Sequence, residues 1–192
     1  MVTAVSPGEA VRFHPTASWS ADGDRIFYTE FIPSDKPYVD GKTDLVSVKL
    51  DGTDKRRHLR FRQVEDAIPS PDGAWIAYVR ADDVYVTAFP SAGPEPLEIG
   101  FGSDPVPVYR LSTEGGGYVG WADAGRTIVW GRGDTVFRQS LDKVREAIQR
   151  DRERKRKQEA GGEASSGTEP EMKEPEVPEP EKFPILLTVK KP

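Results

Sequence analysis

A chain of 192 residues with 36% hydrophobic and 31% charged residues, 17 prolines and 18 glycines has room for one ordinary domain. It must also carry many turns and at least one solvated stretch. A formal charge of −5 lacks the basic footprint of a general nucleic-acid binder, and the absence of cysteine excludes disulfides, thiolate metal sites and a cysteine nucleophile.

The opening "MVTAVSPGEAVRF" has neither the basic nor the apolar segment of a signal peptide, which leaves the compartment open. No run approaches the roughly 18 apolar residues of a membrane-spanning helix, so no membrane span is expected. The first structured unit is "ASWSADGDRIFYTEF" (17–31), a short strand, a turn at Asp22-Gly23 and a stronger strand through Ile26-Phe27-Tyr28. An extended loop (32–43) leads to a third strand, "DLVSVKL" (44–50), and a fourth, "KRRHLRF" (55–61). The plan then repeats in "AIPSPDGAWIAYVRA" (67–81), with its turn at Asp72-Gly73, a tight "RADDV" hairpin and the strand "DVYVTAF" (83–89). Either "PEPLEIG" (94–100) or "PVPVYRLS" (105–112) supplies the fourth strand of this unit.

The Gly-rich "TEGGGYVGW" (113–121) feeds a third copy, "VGWADAGRTIVWGRG" (119–133), followed by "TVFRQSL" (135–141). This copy keeps Gly125 but has Ala124 where the others have aspartate, with Asp123 one place early. The only candidate for its fourth strand is the distant "FPILLTV" (183–189). β-Branched and aromatic residues suit a half-buried pleated surface, while glycine accepts the positive φ of a tight turn and aspartate hydrogen-bonds the local backbone.

Four-stranded antiparallel units recurring about every 50 residues are blades of a β-propeller. The alternative is a single irregular β-sandwich that uses Asp-Gly turns. Propellers close with roughly four to eight blades, so about three make a partial one, with unpaired edges at both ends.

From Ser140 the pattern becomes helical. "SLDKVREAIQRDRERKRKQEA" places Leu141, Val144 and Ile148 on one face, so only the first two turns have reason to dock. The basic run 150–157 is interleaved with Asp151 and Glu153 and lacks stacking aromatics, which fits a solvated helix end better than a nucleic-acid contact. Beyond it, about 158–182 is Gly/Ser-rich and then Pro/Glu-rich, the composition of a disordered linker. The expected fold is all-β, with blades over 1–141, a short helix and charged linker over 142–182, and a terminal strand over 183–192. That last segment either completes the last blade or leads to a following domain.

Catalytic chemistry is thin. His14 and His58 are the two histidines and read as structural or exposed, and no metal-ligand spacing, nucleophile elbow or P-loop occurs. Glu65-Asp66 and Asp82-Asp83 are acidic pairs by type, yet strand neighbours point to opposite faces and the second pair sits in a hairpin. Trp19 and Trp121 are expected to pack between blades, and Trp75 to be partly exposed. Arg110 and Tyr118, taken as inner-strand residues, are candidates for an axial channel, and Trp121 for an interface. No catalytic, metal or cofactor-binding residue is assigned, and no cofactor is expected in this chain.

The phrase "SPDG-x-WIAYV", with its relatives at 20–28 and 122–130, resembles the TolB-like propeller repeat. "DDVYVTAFPSAG" and "PVPVYRLSTEGGGYVGWADAGRTIVWGRGDTVFRQSL" resemble the last propeller blades of bacterial imidazolonepropionase-like amidohydrolases, and "FPILLTVKKP" resembles the exit from propeller to barrel in that group. The resemblance covers about 14–141 and 183–192. It implies a non-catalytic propeller portion of a larger metal-dependent hydrolase, compatible with export, whose partners are a hydrolase domain and further blades. It carries over no catalytic residue. What it carries over is structural: Asp22, Gly23, Asp72, Gly73 and Gly125 as hairpin turns. A stand-alone interaction module that pairs with a second copy of itself is the alternative, and the gating propeller of a serine peptidase a further one.

Overall fold

The computed structural model describes residues 17–34, 41–90, 93, 95–100, 105–160 and 177–186. Among these, thirteen strands and one long helix follow each other as β1 (Ser18–Trp19), β2 (Arg25–Ile32), β3 (Lys42–Lys49), β4 (Arg56–Arg62), β5 (Val64–Pro69), β6 (Trp75–Arg80), β7 (Asp83–Ala88), β8 (Leu97–Ile99), β9 (Val108–Arg110), β10 (Gly117–Ala122), β11 (Thr127–Arg132), β12 (Thr135–Ser140), α1 (Leu141–Ala160) and β13 (Glu181–Pro184). They form three sheets in the orders β1-β2-β3-β4-β8, β5-β6-β7-β9 and β10-β11-β12-β13. Apart from the parallel β4–β8 pair, every pairing is antiparallel. Three successive blades, the first of five strands and the others of four, make a partial, mostly-β propeller, and the sandwich alternative falls away.

The inner hairpins share one register. Ser18 pairs with Phe27, Ile68 with Ala77 and Gly120 with Val129, each five residues before and four after its turn glycine. Alternation along β2, β6 and β11 then sends successive side chains to opposite sheet faces. Phe27, Leu45, Leu59 and Phe61 of the first blade meet Ile76, Tyr78 and Tyr85 of the second in one core. Ala77, Val79, Val84 and Val86 on the other face of the second blade meet Ile128, Trp130 and Phe137 of the third. A small third cluster, Tyr28, Val46 and Val48, lies on the far face of the first blade.

The structure chooses between the strand candidates that the sequence offered. The fourth strand of the second blade is β9, while β8 leaves that blade and adds to the first one, parallel to β4 through Leu59↔Leu97 and Phe61↔Ile99. The last strand of the third blade is β13, starting two residues before the 183–189 segment. The helix buries Leu141, Val144 and Ile148 in the core between the second and third blades, where Trp75 and Trp121 also pack. Part of the expected linker is ordered: Val177 packs on that same core and Glu181–Pro184 pairs with β12. Residues 161–176, His14 and part of the 32–43 loop lie outside the described residues.

Candidate functional site

The turn end of the blades is built by a repeated Ser-x-Asp-Gly device. In the first blade the Ser20 hydroxyl donates to Asp22 Oδ1, which also accepts from the Asp24 N–H at 3.1 Å, while the Arg25 N–H donates to Ser20 Oγ at 2.9 Å. Ser70, Asp72, Ala74 and Trp75 reproduce the set in the second blade. Gly23 and Gly73 take φ of 76° and 69°, the left-handed region that glycine enters freely. The Ser20 hydroxyl and Asp24 N–H hold the Asp22 carboxyl below its usual pKa. At Asp72 burial pushes upward, but the bonds from Ser70 and Ala74 and the charge of Arg145 outweigh it and lower the pKa.

The third turn solves the problem with different atoms. Asp123 and Ala124 both take left-handed φ, 51° and 55°, before Gly125 at 90°. Asp123 Oδ2 accepts from Thr127 Oγ1 at 2.7 Å and from Arg138 Nη2 at 2.6 Å, and these two bonds lower its pKa. The aspartate has moved one place and bonds forward to strands β11 and β12. The turns also touch in series: a Cβ on Gly73 would meet Ala21 Cβ at 3.7 Å, and one on Gly125 would meet Asp72 Oδ1 at 3.2 Å.

Two carboxylates, one buried and one half-buried, organise the outer strands, and the sequence singled out neither for this role. Asp44, fully buried, is gripped by Arg60 through two bonds of 2.8 Å, with Arg57 at 3.4 Å. Asp83 accepts from Arg110, from Ser112 Oγ at 3.1 Å and from the Gly115 N–H at 3.2 Å. Arg110 does not hold the inner-strand place expected of it. It lies on the outermost strand, β9, and its guanidinium closes down onto the β6–β7 turn. The only sequence signal for such clamps is an Asp at a strand start with an Arg on the next strand.

Tyr118 does lie on an inner strand, β10, in an irregularity between Gly117 and Gly120 that throws its ring out to 97% exposure. Trp121 packs against the core between the second and third blades, and its indole Nε1 donates to the Ile68 carbonyl of the preceding blade at 3.0 Å. Trp19, expected in a core, is 61% exposed, because no described sheet precedes the first blade. Trp75 is half-buried, with the Arg145 guanidinium of α1 5.2 Å from its ring centroid. His58 is buried: Nε2 lies 2.7 Å from Ser47 Oγ, and the ring packs against Phe27 and Phe89. Among the described residues no group of three His, Asp or Glu side chains converges as a metal site.

No family model matches the chain, and no curated protein matches it. Among solved structures it is similar to the periplasmic gluconolactonase PpgL of Pseudomonas aeruginosa, at 21% identity and a TM-score of 0.42. The match covers 66% of this chain and 38% of that one, so it spans well under half of that protein's length. The propeller architecture rests on the chain's own three sheets and their shared register.

Proposed function

We propose that the chain is the non-catalytic propeller portion of a larger hydrolase of the metal-dependent amidohydrolase type, shielding or gating the active site of a neighbouring domain. The observation that carries this reading is the uncovered outer face of the third blade. The equivalent faces of the first and second blades are each covered by the next blade. The third instead presents Tyr118, Phe183, Ile185 and Leu186 as exposed apolar groups around half-buried Val129 and Val136. A patch of that kind marks a surface made to be covered. The hydrolase class comes from the resemblance of residues 83–141 to blades that precede an amidohydrolase barrel, an argument by analogy.

The test is to sequence the gene on both sides of this reading frame and assay its full product on linear and cyclic amides, with and without divalent metal. The expected result is a frame that continues past Pro192 into a His-x-His motif and encodes metal-dependent amide hydrolysis, with none from residues 1–192 alone. A frame that stops at Pro192 overturns the proposal. The exposed indole of Trp19 at the opposite end favours, as a second reading, an interaction module that covers its own ends by self-association.

A further inference from the structure

All seven large hydrophobic side chains exposed among the described residues belong to the two ends of the blade series. Trp19, Phe31 and Leu50 flank the first blade, and Tyr118, Phe183, Ile185 and Leu186 the third. The middle blade, covered on both faces, contributes none.

The shared register shows how one end fits the other. Trp19 pairs with Ile26, Pro69 with Ile76 and Trp121 with Ile128, so the two tryptophans hold the same place in their repeats. Ile76 and Ile128 face the preceding blade. From this place Trp121 reaches the preceding blade and donates its indole N–H to Ile68. Ile68 is the residue five before its turn glycine, and its equivalent in the third blade is Gly120. The chain thus holds one complete clasp, Trp121 to Ile68, and three unmatched halves: an exposed indole at Trp19, the Gly120 carbonyl on the last blade, and the Ser18 carbonyl, whose place opposite in the second blade is taken by Pro69. Space is available at the second half, where a Cβ on Gly120 would meet nothing within 4 Å except Val129 Cγ2, at 3.6 Å.

We propose that the first two of these halves join between two copies of the chain, head to tail. Trp19 of one copy donates to the Gly120 carbonyl of the other and packs its indole beside Tyr118 and Val129. A twofold axis makes the contact twice, so that Trp19 and the third-blade face of each copy are covered at once. The occupant is a second copy because this chain supplies both the donor and the acceptor, and because the contact continues the stacking already present between its blades. Tyr28, Val46 and Val48 are already buried on the first blade's far face, so the contact on that side centres on Trp19 and Ile26 at the inner-strand rim. This inference rests on the self-association reading and competes with the hydrolase reading for the third-blade face.

Sedimentation equilibrium on the full chain over a range of concentrations, with Trp19→Ala and Tyr118→Glu as variants, tests it. Both side chains are exposed, so far-UV circular dichroism, and the melting temperature at concentrations too low for association, should stay unchanged in the variants. The expected result is a monomer–dimer equilibrium weakened roughly tenfold or more by each variant alone. An equimolar mixture of the two variants should recover part of the association, since a mixed pair retains one intact contact. A chain that stays monomeric at every concentration overturns the proposal. So does a dimer indifferent to Trp19→Ala, which would indicate third blade against third blade, or a mixture that shows no recovery. A chain that stays monomeric leaves the hydrolase reading standing, whereas a head-to-tail dimer gives the third-blade face to a second copy and removes the observation on which that reading rests, so the two outcomes are told apart.

Discussion

The ring of His58 stands in a row of cations, Arg56, Arg57 and Arg60, yet it is buried against two phenylalanine rings with its Nε2 on Ser47. Burial, then the charges of Arg25 and Arg56, hold its pKa down from 6.5 to about 4. Between those values the unfolded chain binds a proton that the folded chain refuses, so stability falls as pH drops from 6.5 toward 4 and is flat above that window. The loss is on the order of 3 kcal/mol, and His58→Phe should flatten it, as read from urea midpoints at pH 7 and pH 4.5. A second loss sets in below about 3.8, because the carboxylate of Asp54 has its pKa lowered to about 2 by bonds from Arg56 and then Arg25. Gly116 gives a steric prediction. A Cβ there would lie 2.4 Å from Trp130 Cδ1 and 3.0 Å from Val84 Cγ2, against an indole that is 1% exposed. Gly116→Ala should therefore cost about 1–3 kcal/mol in thermal unfolding, whereas Gly117→Ala, with nothing within 4 Å, should be close to neutral. The sequence shows three successive glycines and gives no sign of which one meets the indole, because that contact comes from a residue fourteen places on.

At the scale of elements, local signals carried most of the information. The turn glycines, the β-branched and aromatic strands and the Leu141-Val144-Ile148 stripe each need only a few neighbouring residues to be read. What failed was non-local. Leu97–Ile99 has the composition of a strand for either blade, and its choice of β4 depends on where the chain returns after β7. The Pro/Glu-rich approach to β13 reads as linker by composition. Val177 nevertheless finds the core, and Glu181–Pro184 finds the open edge of β12. Trp19 and Trp121 have equivalent places in the repeat, so no local pattern separates the buried clasp from the exposed indole. The helix is a test of how far its docking extends. Leu141 is fully buried, so Leu141→Ala should cost about 2–5 kcal/mol by the cavity it leaves. Glu153 is exposed beyond the stripe, and Glu153→Ala should move the urea midpoint by no more than about 0.5 kcal/mol equivalent.

For the whole molecule, the arrangement makes stability uneven along the chain. The second blade is the only one with a described blade on each face: Ile76, Tyr78 and Tyr85 pack on the first blade, and Ala77, Val84 and Val86 on the third. Opening β6 or β7 breaks both cores together, so their amides should exchange only through global unfolding. The end blades differ in kind. β1 is two residues long and pairs only with β2, while β13 is exposed along its length and holds to β12 alone. Hydrogen exchange followed by mass spectrometry should therefore rank protection as β6 and β7 first, β3 and β11 next, and β1 and β13 last. Association by the Trp19 to Gly120 contact would raise protection selectively in β1 and β10 as concentration increases, leaving β6 and β7 at the global limit. Uniform protection across the three blades at low concentration would mean that the end faces are already sealed within one copy. The open third-blade face would then lose its place as the organising feature of the molecule.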